Sequence, residues 1–422
     1  GKRIRIRSGG ETAELVVIDC GGSAASPHRG FNFQSGETGQ TILENLTVLN
    51  GHAGSGGGIR CSGASPAMYN VRFVNCTADT DGGGLACVGH SSPALTEVAF
   101  EGCSAGGKGG GLYATDFSSP VMLGCVFEGN QAVTRGGGAI FTVNSFPALE
   151  ACSFEGNAAG YGGGLAVVYS YGPVTGCSFF GNIASEGGAM YLRGNVQAAF
   201  TGCTVAGNST TGGGGAVSVL VNSDPVFENC LLAYDGGGPG VFVDETSTAS
   251  FACSDIYGNA GGDWTGYIAG QLGVSGNISE NPLLCGLSEG DLTVGDNSPC
   301  LPDGNSCGVQ IGAHGEGCSL TSAEDPAVPM ASFLDQNYPN PFNPVTRIRL
   351  GLTGSERVSL RIYDVSGRRV RTLLSDHELE AGVHTYEWDG KSDGGNSVAS
   401  GIYFYRLEAG AFTASRKMIL LR

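Results

Sequence analysis

Positively charged residues are scarce over most of this chain. The first 330 of its 422 residues contain 10 Lys and Arg against 29 Asp and Glu, a net charge of −19. The last 92 residues contain 12 and 10, a net charge of +2. Nucleic-acid binding requires a basic surface that neutralises phosphates, so this composition excludes nucleic acid as a partner.

Long apolar runs and helical periods are also missing. No run of about 18 apolar residues occurs, so we expect no transmembrane helix. No 3.6-residue apolar period of useful length occurs, which argues against a helical solenoid. The 74 Gly have no G-X-Y period, which excludes collagen. With 41% apolar residues the chain is also too apolar for a disordered Gly-rich polymer.

What the chain does contain is a repeat of about 26 residues. "CVFEGNQAVTRGGGAIF" at 125–141 is preceded and followed by near copies. An apolar marker recurs at Val48, Phe73, Phe100, Phe127, Phe154, Phe179, Val205, Leu232 and Ile256. Three residues further on come Asn130, Asn157, Asn182, Asn208, Asp235 and Asn259. Pro residues and runs of Gly keep the same period, which is strong evidence for a repeat architecture.

Short β-rich pieces separated by turn residues make each repeat resemble one coil of a parallel β-helix. Successive coils of such a fold stack at about 4.8 Å. We expect the Gly runs to form one corner of every rung, where the backbone needs a positive φ or close approach. The Asn residues should line a turn and bond the backbone of their own and the next rung.

The rungs written "C-x-F-x-G-N-x-A…G-G-G-L" resemble the right-handed parallel β-helix repeat proteins of bacterial cell surfaces, including the polymorphic outer-membrane-protein type. The resemblance covers roughly residues 10–320. It implies an all-β fold with a β-helix of about ten rungs at 1–262, a disulfide-containing cap at 263–320 and a linker at 321–332. The fold itself does not specify an activity, since it supports lyases, adhesins and passive stalks alike.

A different pattern begins at residue 333. "VSLRIYDVSGRRVRTL" alternates apolar and polar residues around a Ser366–Gly367 turn, and "GVHTYEWDG" and "GIYFYRLEAG" predict further strands. We expect a small antiparallel β-sandwich at 333–422. The motifs "YPNPFNP", "YDVSGRRV", "SGIYFYRL" and "RKMILLR" resemble the C-terminal sorting domain of type 9 secretion substrates, which is related to the immunoglobulin-like domain of flagellar hook-capping proteins. The resemblance implies export to the outer surface of a Gram-negative bacterium and contact with the type 9 machinery.

All 15 Cys lie before residue 319, and 13 of them fall into three groups. Cys125, Cys152, Cys177, Cys203 and Cys230 form one column, which favours a stack of buried small side chains over a metal or redox ladder. The pairs Cys61/Cys87 and Cys76/Cys103 share columns on adjacent rungs, and their state stays open. Four more lie in the predicted cap and predict two disulfides of undetermined connectivity: Cys285, Cys300, Cys307 and Cys318.

Two groups of side chains are candidates for binding. Glu101, Glu128 and Glu155 follow the apolar marker directly and should form an outward row, either a solvated face or a weak Ca²⁺ site. No other cofactor is expected. The aromatic residues Phe117, Phe146, Tyr169 and Tyr171 lie near the Pro-marked corner and either bind sugars or simply cover that corner.

Nothing in the sequence resembles a nucleophile with its base, so an enzyme is the less favoured interpretation. We expect an exported structural or adhesive protein that presents a face of its β-helix to glycans, to cells or to copies of itself. A polysaccharide lyase or glycoside hydrolase is one alternative. A subunit of an extracellular fibre is the other.

Overall fold

A computed structural model describes residues 3–8, 16–134, 136–212, 214–319, 332–334, 337, 342 and 344–420. Residues 321–331 of the predicted linker at 321–332, and most of "YPNPFNP", lie outside these residues. The chain divides into two compact units. The first comprises 1–259, 263–282 and 297–316, and the second comprises 260–262, 283–296 and 317–422.

The first unit is a parallel coil, as the repeat predicts. Its largest sheet has 18 strands in two side-by-side stacks, and the strands Ile42–Leu49 and Ala67–Val74 are long enough to run through both. One stack continues with Arg5–Arg7, Ala94–Thr96, Val121–Leu123, Ala148–Glu150, Val174–Thr175, Ala199–Thr201, Val226–Glu228 and Ser250–Ala252. The other continues with Val17–Asp19, Ala99–Glu101, Val126–Glu128, Ser153–Glu155, Ser178–Phe180, Thr204–Ala206, Leu231–Ala233 and Asp255–Tyr257.

Two narrower parallel sheets close the coil. The second sheet has seven strands: His52–Ala53, Thr77–Ala78, Ser104–Ala105, Gln131–Ala132, Ala158–Tyr161, Ile183–Glu186 and Ser209–Thr210. The third sheet has nine strands: Phe31–Phe33, Ile59–Ser62, Leu85–Val88, Leu112–Ala114, Ile140–Val143, Leu165–Val168, Met190–Arg193, Val217–Leu220 and Val241–Val243. The predicted fold class is thereby confirmed for this unit.

The core is a continuous stack of side chains from equivalent positions. Phe100 pairs in register with Phe73 and with Phe127, and all nine apolar markers follow one another in this way. The rings of Phe100 and Phe127 lie 4.7 Å apart and almost parallel. Because each ring covers the next, side chains of one type at one phase fill a narrow core without gaps.

The Gly runs form a corner of the coil, as predicted, but their columns are shifted on some rungs. The first Gly of a run adopts a left-handed conformation, as at Gly109 with φ of +64°. A Cβ on the second, Gly110, would overlap the carbonyl oxygen of the next rung. The third position, directly before the strand, is Gly111 in one rung and Ala139 in the next. Where Ala fills that third place, the last Gly of the run therefore lies one residue earlier than in the other rungs.

The predicted cap contains strands Leu284–Gly286, Asp291–Gly295 and Glu316–Cys318 and 3₁₀ helices Gly266–Gln271, Leu287–Glu289 and Pro302–Gly304. Cys285 pairs with Cys318, but Cys307 pairs with Cys253. The expectation that Cys300 joins a disulfide was wrong. Its thiol is buried and donates to the Asp255 carboxyl at 3.6 Å. The buried thiols of the Cys125–Cys230 column lie two residues before the apolar marker, whereas Cys253 lies three residues before its marker, Ile256. This difference of one residue indicates that the Cys253 side chain points outward.

The second unit contains the predicted antiparallel sandwich. One sheet has the strands Phe333–Leu334, Thr346–Leu352 and Gly382–Trp388. The other has Arg369–Leu379, Glu356–Asp364, Gly401–Ala409 and Phe412–Leu420, in that spatial order. The Ser366–Gly367 turn is confirmed, with Gly367 at φ of +79°. Trp388 is buried in the core beside the rings of Phe342 and Tyr403.

Candidate binding surface

Three of the four predicted aromatic residues meet at one corner of the coil. Phe117 lies between His90, at 5.6 Å between ring centroids, and Phe146, at 6.5 Å, while Tyr171 follows Phe146 at 4.4 Å. We call these four side chains the aromatic ridge. Tyr169 is not part of the aromatic ridge. Its ring lies over the backbone of Gly194, and a Cβ at Gly194 would overlap the Tyr169 ring. The first two rings are stacked and the later contacts are tilted, and both Phe117 and Tyr171 are exposed.

The backbone adopts an unfavourable conformation at two residues of the ridge. His90 and Phe117 have φ of +61° and +58°. This left-handed region costs a side chain larger than Asn roughly 1–2 kcal/mol. Phe117 is nevertheless 57% exposed. Core packing does not explain why an aromatic residue with a strained backbone is retained where about half of its surface is exposed to solvent. This combination points to a role of Phe117 on the surface.

A column of buried Ser residues holds this corner in register. Ser91 donates its backbone N–H to Ser118 Oγ at 3.0 Å, and Ser145 donates to Ser170 Oγ at 3.0 Å. Later rungs repeat the contact through Ser223 Oγ and Ser247 Oγ. Sequence reasoning missed this column, although Ser stands two residues before Pro in most of these repeats. The Ser column fixes the backbone from which the ridge projects.

A second apolar group lies on the outer side of the third sheet, and sequence reasoning missed it too. Tyr113, Phe141, Ala166 and Tyr191 pair in register there, and we call them the outer cluster. Lys108 Nζ lies 4.9 Å above the Phe141 ring, a cation–π contact. The signal in the sequence was a pair of adjacent apolar residues at the start of each of these strands, whereas a half-buried strand alternates apolar and polar residues.

One carboxyl and one guanidinium lie near the outer cluster. Burial raises the pKa of Glu186, while the charge of Arg193 opposes that change. Burial, with the negative charge of Glu186, raises the pKa of Tyr191 to about 12. Tyr161 packs against Tyr191 at 5.0 Å between ring centroids. The region is therefore partly dehydrated, with side chains of both charge signs at its rim.

The acidic row exists in the predicted register. Glu101 pairs with Glu128 and Glu128 with Glu155. Arg72 binds both carboxylate oxygens of Glu101, at 2.9 and 2.8 Å. Glu128 and Glu155 are more exposed to solvent than Glu101. Within the described residues, no group of three or more His, Cys, Asp or Glu is close enough to hold a metal ion. Weak Ca²⁺ binding by the row remains a prediction.

The free thiols of the first unit are buried, except that of Cys20, which is partly buried. The column from Cys125 to Cys230 is buried, as expected. Cys61 and Cys87 pair in register as free thiols, and Cys76 and Cys103 are also free. Neither of these two pairs, whose state the sequence left open, forms a disulfide. The neighbouring Cys230 thiol and burial raise the pKa of Cys203 well above its ordinary value. Buried thiols that stay protonated are poor nucleophiles and metal ligands.

Two protein families match separate parts of this chain. Residues 24–179 match the family described as a right handed beta helix region, and residues 343–411 match the FlgD Ig-like domain. The chain thus joins a right-handed β-helix to an FlgD-type Ig-like domain. Among the described residues, no helix is both long and apolar enough to cross a membrane.

Two curated relatives are similar to a short part of this chain. The basal-body rod modification protein FlgD of Salmonella typhimurium, like that of Salmonella typhi, is 49% identical over 49 residues. The match covers 12% of this chain and 21% of each FlgD protein, so the chain spans about a fifth of the length of these relatives.

Two solved structures, both from Porphyromonas gingivalis, show local likeness. Dimeric latent PorU matches with 21% identity and a TM-score of 0.18, covering 25% of this chain and 10% of PorU. PorZ, described as a surface component of the type-IX secretion system, matches with 20% identity and a TM-score of 0.16, covering 25% of this chain and 13% of PorZ.

Proposed function

We propose that this protein is an exported bacterial surface protein whose β-helix is adhesive. The sorting motifs between residues 333 and 422 support export through the type 9 machinery, and the acidic β-helix supports an extracellular location. The aromatic ridge carries the adhesive part of the proposal. A strained, exposed aromatic residue such as Phe117 costs stability, and a contact surface is a physical reason to retain it.

The ridge offers a long, narrow contact. Its rings follow the axis of the coil at the spacing of the rungs, so a partner would lie along the axis and meet several rings in turn. Tyr171 is 51% exposed and adds a hydroxyl, a combination common at protein binding sites. The ligand is a glycan, a component of another cell, or a second copy of this protein.

The test compares a ridge variant with a matched control. Phe117→Ser combined with Tyr171→Ser removes exposed aromatic area from the ridge. Tyr69→Ser combined with Tyr267→Ser removes exposed aromatic area elsewhere, since these residues are 41% and 65% exposed. Each full-length protein is applied to a glycan array and to bacterial cells, and its size in solution is measured.

The proposal predicts that the ridge variant loses binding or self-association at least tenfold while the control retains it. Equal behaviour of the two variants in all three assays would contradict an adhesive ridge.

A further inference from the structure

The polar column of the β-helix is a hydrogen-bonded ladder, which we call the asparagine ladder: Asn130, Asn157, Asn182, Asn208, Asp235 and Asn259. Its geometry is clearest at Asn157. The Asn157 Oδ1 accepts from the backbone N–H and the side-chain Nδ2 of Asn130, each at 2.9 Å. The Asn157 Nδ2 donates to Asn182 Oδ1 at 2.9 Å and to the Phe127 carbonyl of the preceding rung at 3.0 Å. Each amide thus joins three rungs.

Asp235 is the one acid among the six members of this ladder. Like the Oδ1 of Asn157, its Oδ1 accepts hydrogen bonds from the preceding member of the ladder: the backbone N–H and Nδ2 of Asn208 donate at 2.7 and 3.0 Å. Its backbone N–H donates to Asn259 Oδ1 at 3.0 Å. The Oδ2 therefore occupies the place that an amide nitrogen has in the other members. It is buried and accepts no hydrogen bond from any described residue.

The surroundings of this oxygen suit a donor and not an acceptor. By the repeat, an amide nitrogen at Asp235 would donate to the Val205 carbonyl and to Asn259 Oδ1. Both are acceptors, so an ionised carboxylate would place an unpaired negative oxygen between them, at a cost of several kcal/mol in a dry interior. A protonated carboxyl has one O–H and satisfies one of these acceptors.

The charged neighbour reinforces this preference. Burial raises the pKa of Asp235 well above its ordinary value; the hydrogen bonds from Asn208 lower it, and the Asp263 carboxyl raises it. Asp263 accepts from the backbone N–H and Nδ2 of Asn259 at 2.9 and 3.0 Å. No Lys or Arg among the described residues forms an ion pair with Asp235.

We propose that Asp235 is held as a neutral carboxylic acid whose O–H closes the asparagine ladder, and that loss of this proton is a pH switch that loosens the last rungs of the β-helix. The folded protein binds the proton more tightly than the unfolded chain. The contribution to stability is therefore complete below the pKa of the unfolded chain and declines as pH rises toward the folded pKa. Because a solenoid couples neighbouring rungs, the loosening should stay near residues 205–259.

The decisive variant is Asp235→Asn, which restores an amide with two donors. Melting curves of wild type and variant are recorded at intervals from about pH 4 to about pH 9. As pH rises, the melting temperature of Asp235→Asn should increase relative to that of wild type. The increase should be roughly 3 °C per pH unit between the pKa of Asp235 in the unfolded chain and its pKa in the folded protein. Asp244→Asn is the control. Hydrogen bonds lower the pKa of Asp244 despite partial burial, so its removal should change stability with the opposite dependence on pH.

Two further measurements distinguish an effect of the Asp235 proton on stability from an effect of side-chain packing. The infrared band of a protonated carboxyl should be present in wild type at neutral pH and weaker by one group in Asp235→Asn. The reverse variant Asn157→Asp should create a new pH dependence in a different rung, which keeps the proposal testable if Asp235→Asn does not fold. A melting difference between wild type and Asp235→Asn that is independent of pH, or an unchanged infrared band, would overturn the proposal.

Discussion

Removal of one ring from the Phe stack should destabilise the β-helix strongly and locally. Phe127 is fully buried, and its ring lies 4.7 Å from that of Phe100 and 4.9 Å from that of Phe154. Replacement of a core Phe by Ala costs about 3–5 kcal/mol. We expect about 5 kcal/mol for Phe127→Ala. The backbone ladders fix the distance between rungs, so the cavity cannot collapse, and two ring contacts worth about 0.5–1.5 kcal/mol each are lost.

The measurement is urea unfolding of the full chain, with hydrogen exchange followed by peptide. Phe180→Ala is the matched control, because Phe180 lies outside the core beside Phe179 and is only partly buried. The control should lose about 1 kcal/mol or less. Faster exchange in Phe127→Ala should be confined to adjacent rungs. The reasoning fails if both variants lose the same free energy of unfolding, or if exchange accelerates equally in the rungs and in the Ig-like domain.

Three further outcomes follow from the structure. Gly110→Ala should lower the melting temperature more than Gly111→Ala, because only the third corner position is occupied by Ala in other rungs, and equal losses would contradict that assignment. If the acidic row binds Ca²⁺, millimolar Ca²⁺ should raise the melting temperature of wild type but raise that of Glu128→Gln less; identical shifts would mean that the row is a solvated face. Deletion of residues 333–422 should leave the β-helix folded, as circular dichroism would report, but trapped in the periplasm, and undiminished surface delivery would contradict the sorting role.

The rung register could be predicted from sequence because one rung is one repeat. A marker such as Phe127 meets its equivalents in the rungs before and after, so the period in the sequence becomes a distance in space. The same logic predicted the asparagine ladder and the outward row of Glu residues. In a solenoid the contacts that matter are about 26 residues apart, and the pattern of the chain records them directly.

Other features depended on contacts that no period records. Cys253 lies 54 residues from Cys307, and only the path of the chain between them brings the two thiols together. The same path leaves Cys300 as a free thiol beside the Asp255 carboxyl. The pairing of Arg72 with Glu101 was likewise hidden, since the two residues belong to different rungs and different phases of the repeat.

The sequence by itself determined the repeating part of this protein: an all-β coil, the phase of its core, the polar ladder and the change to an Ig-like domain. These follow from local conformational preference and from the period of apolar residues. Only the tertiary structure decided which aromatic rings meet at a corner, which thiols join, and that the Asp235 oxygen faces acceptors. Those properties depend on the direction of each side chain after the backbone has turned, and a one-residue change in a loop alters that direction without disturbing the period.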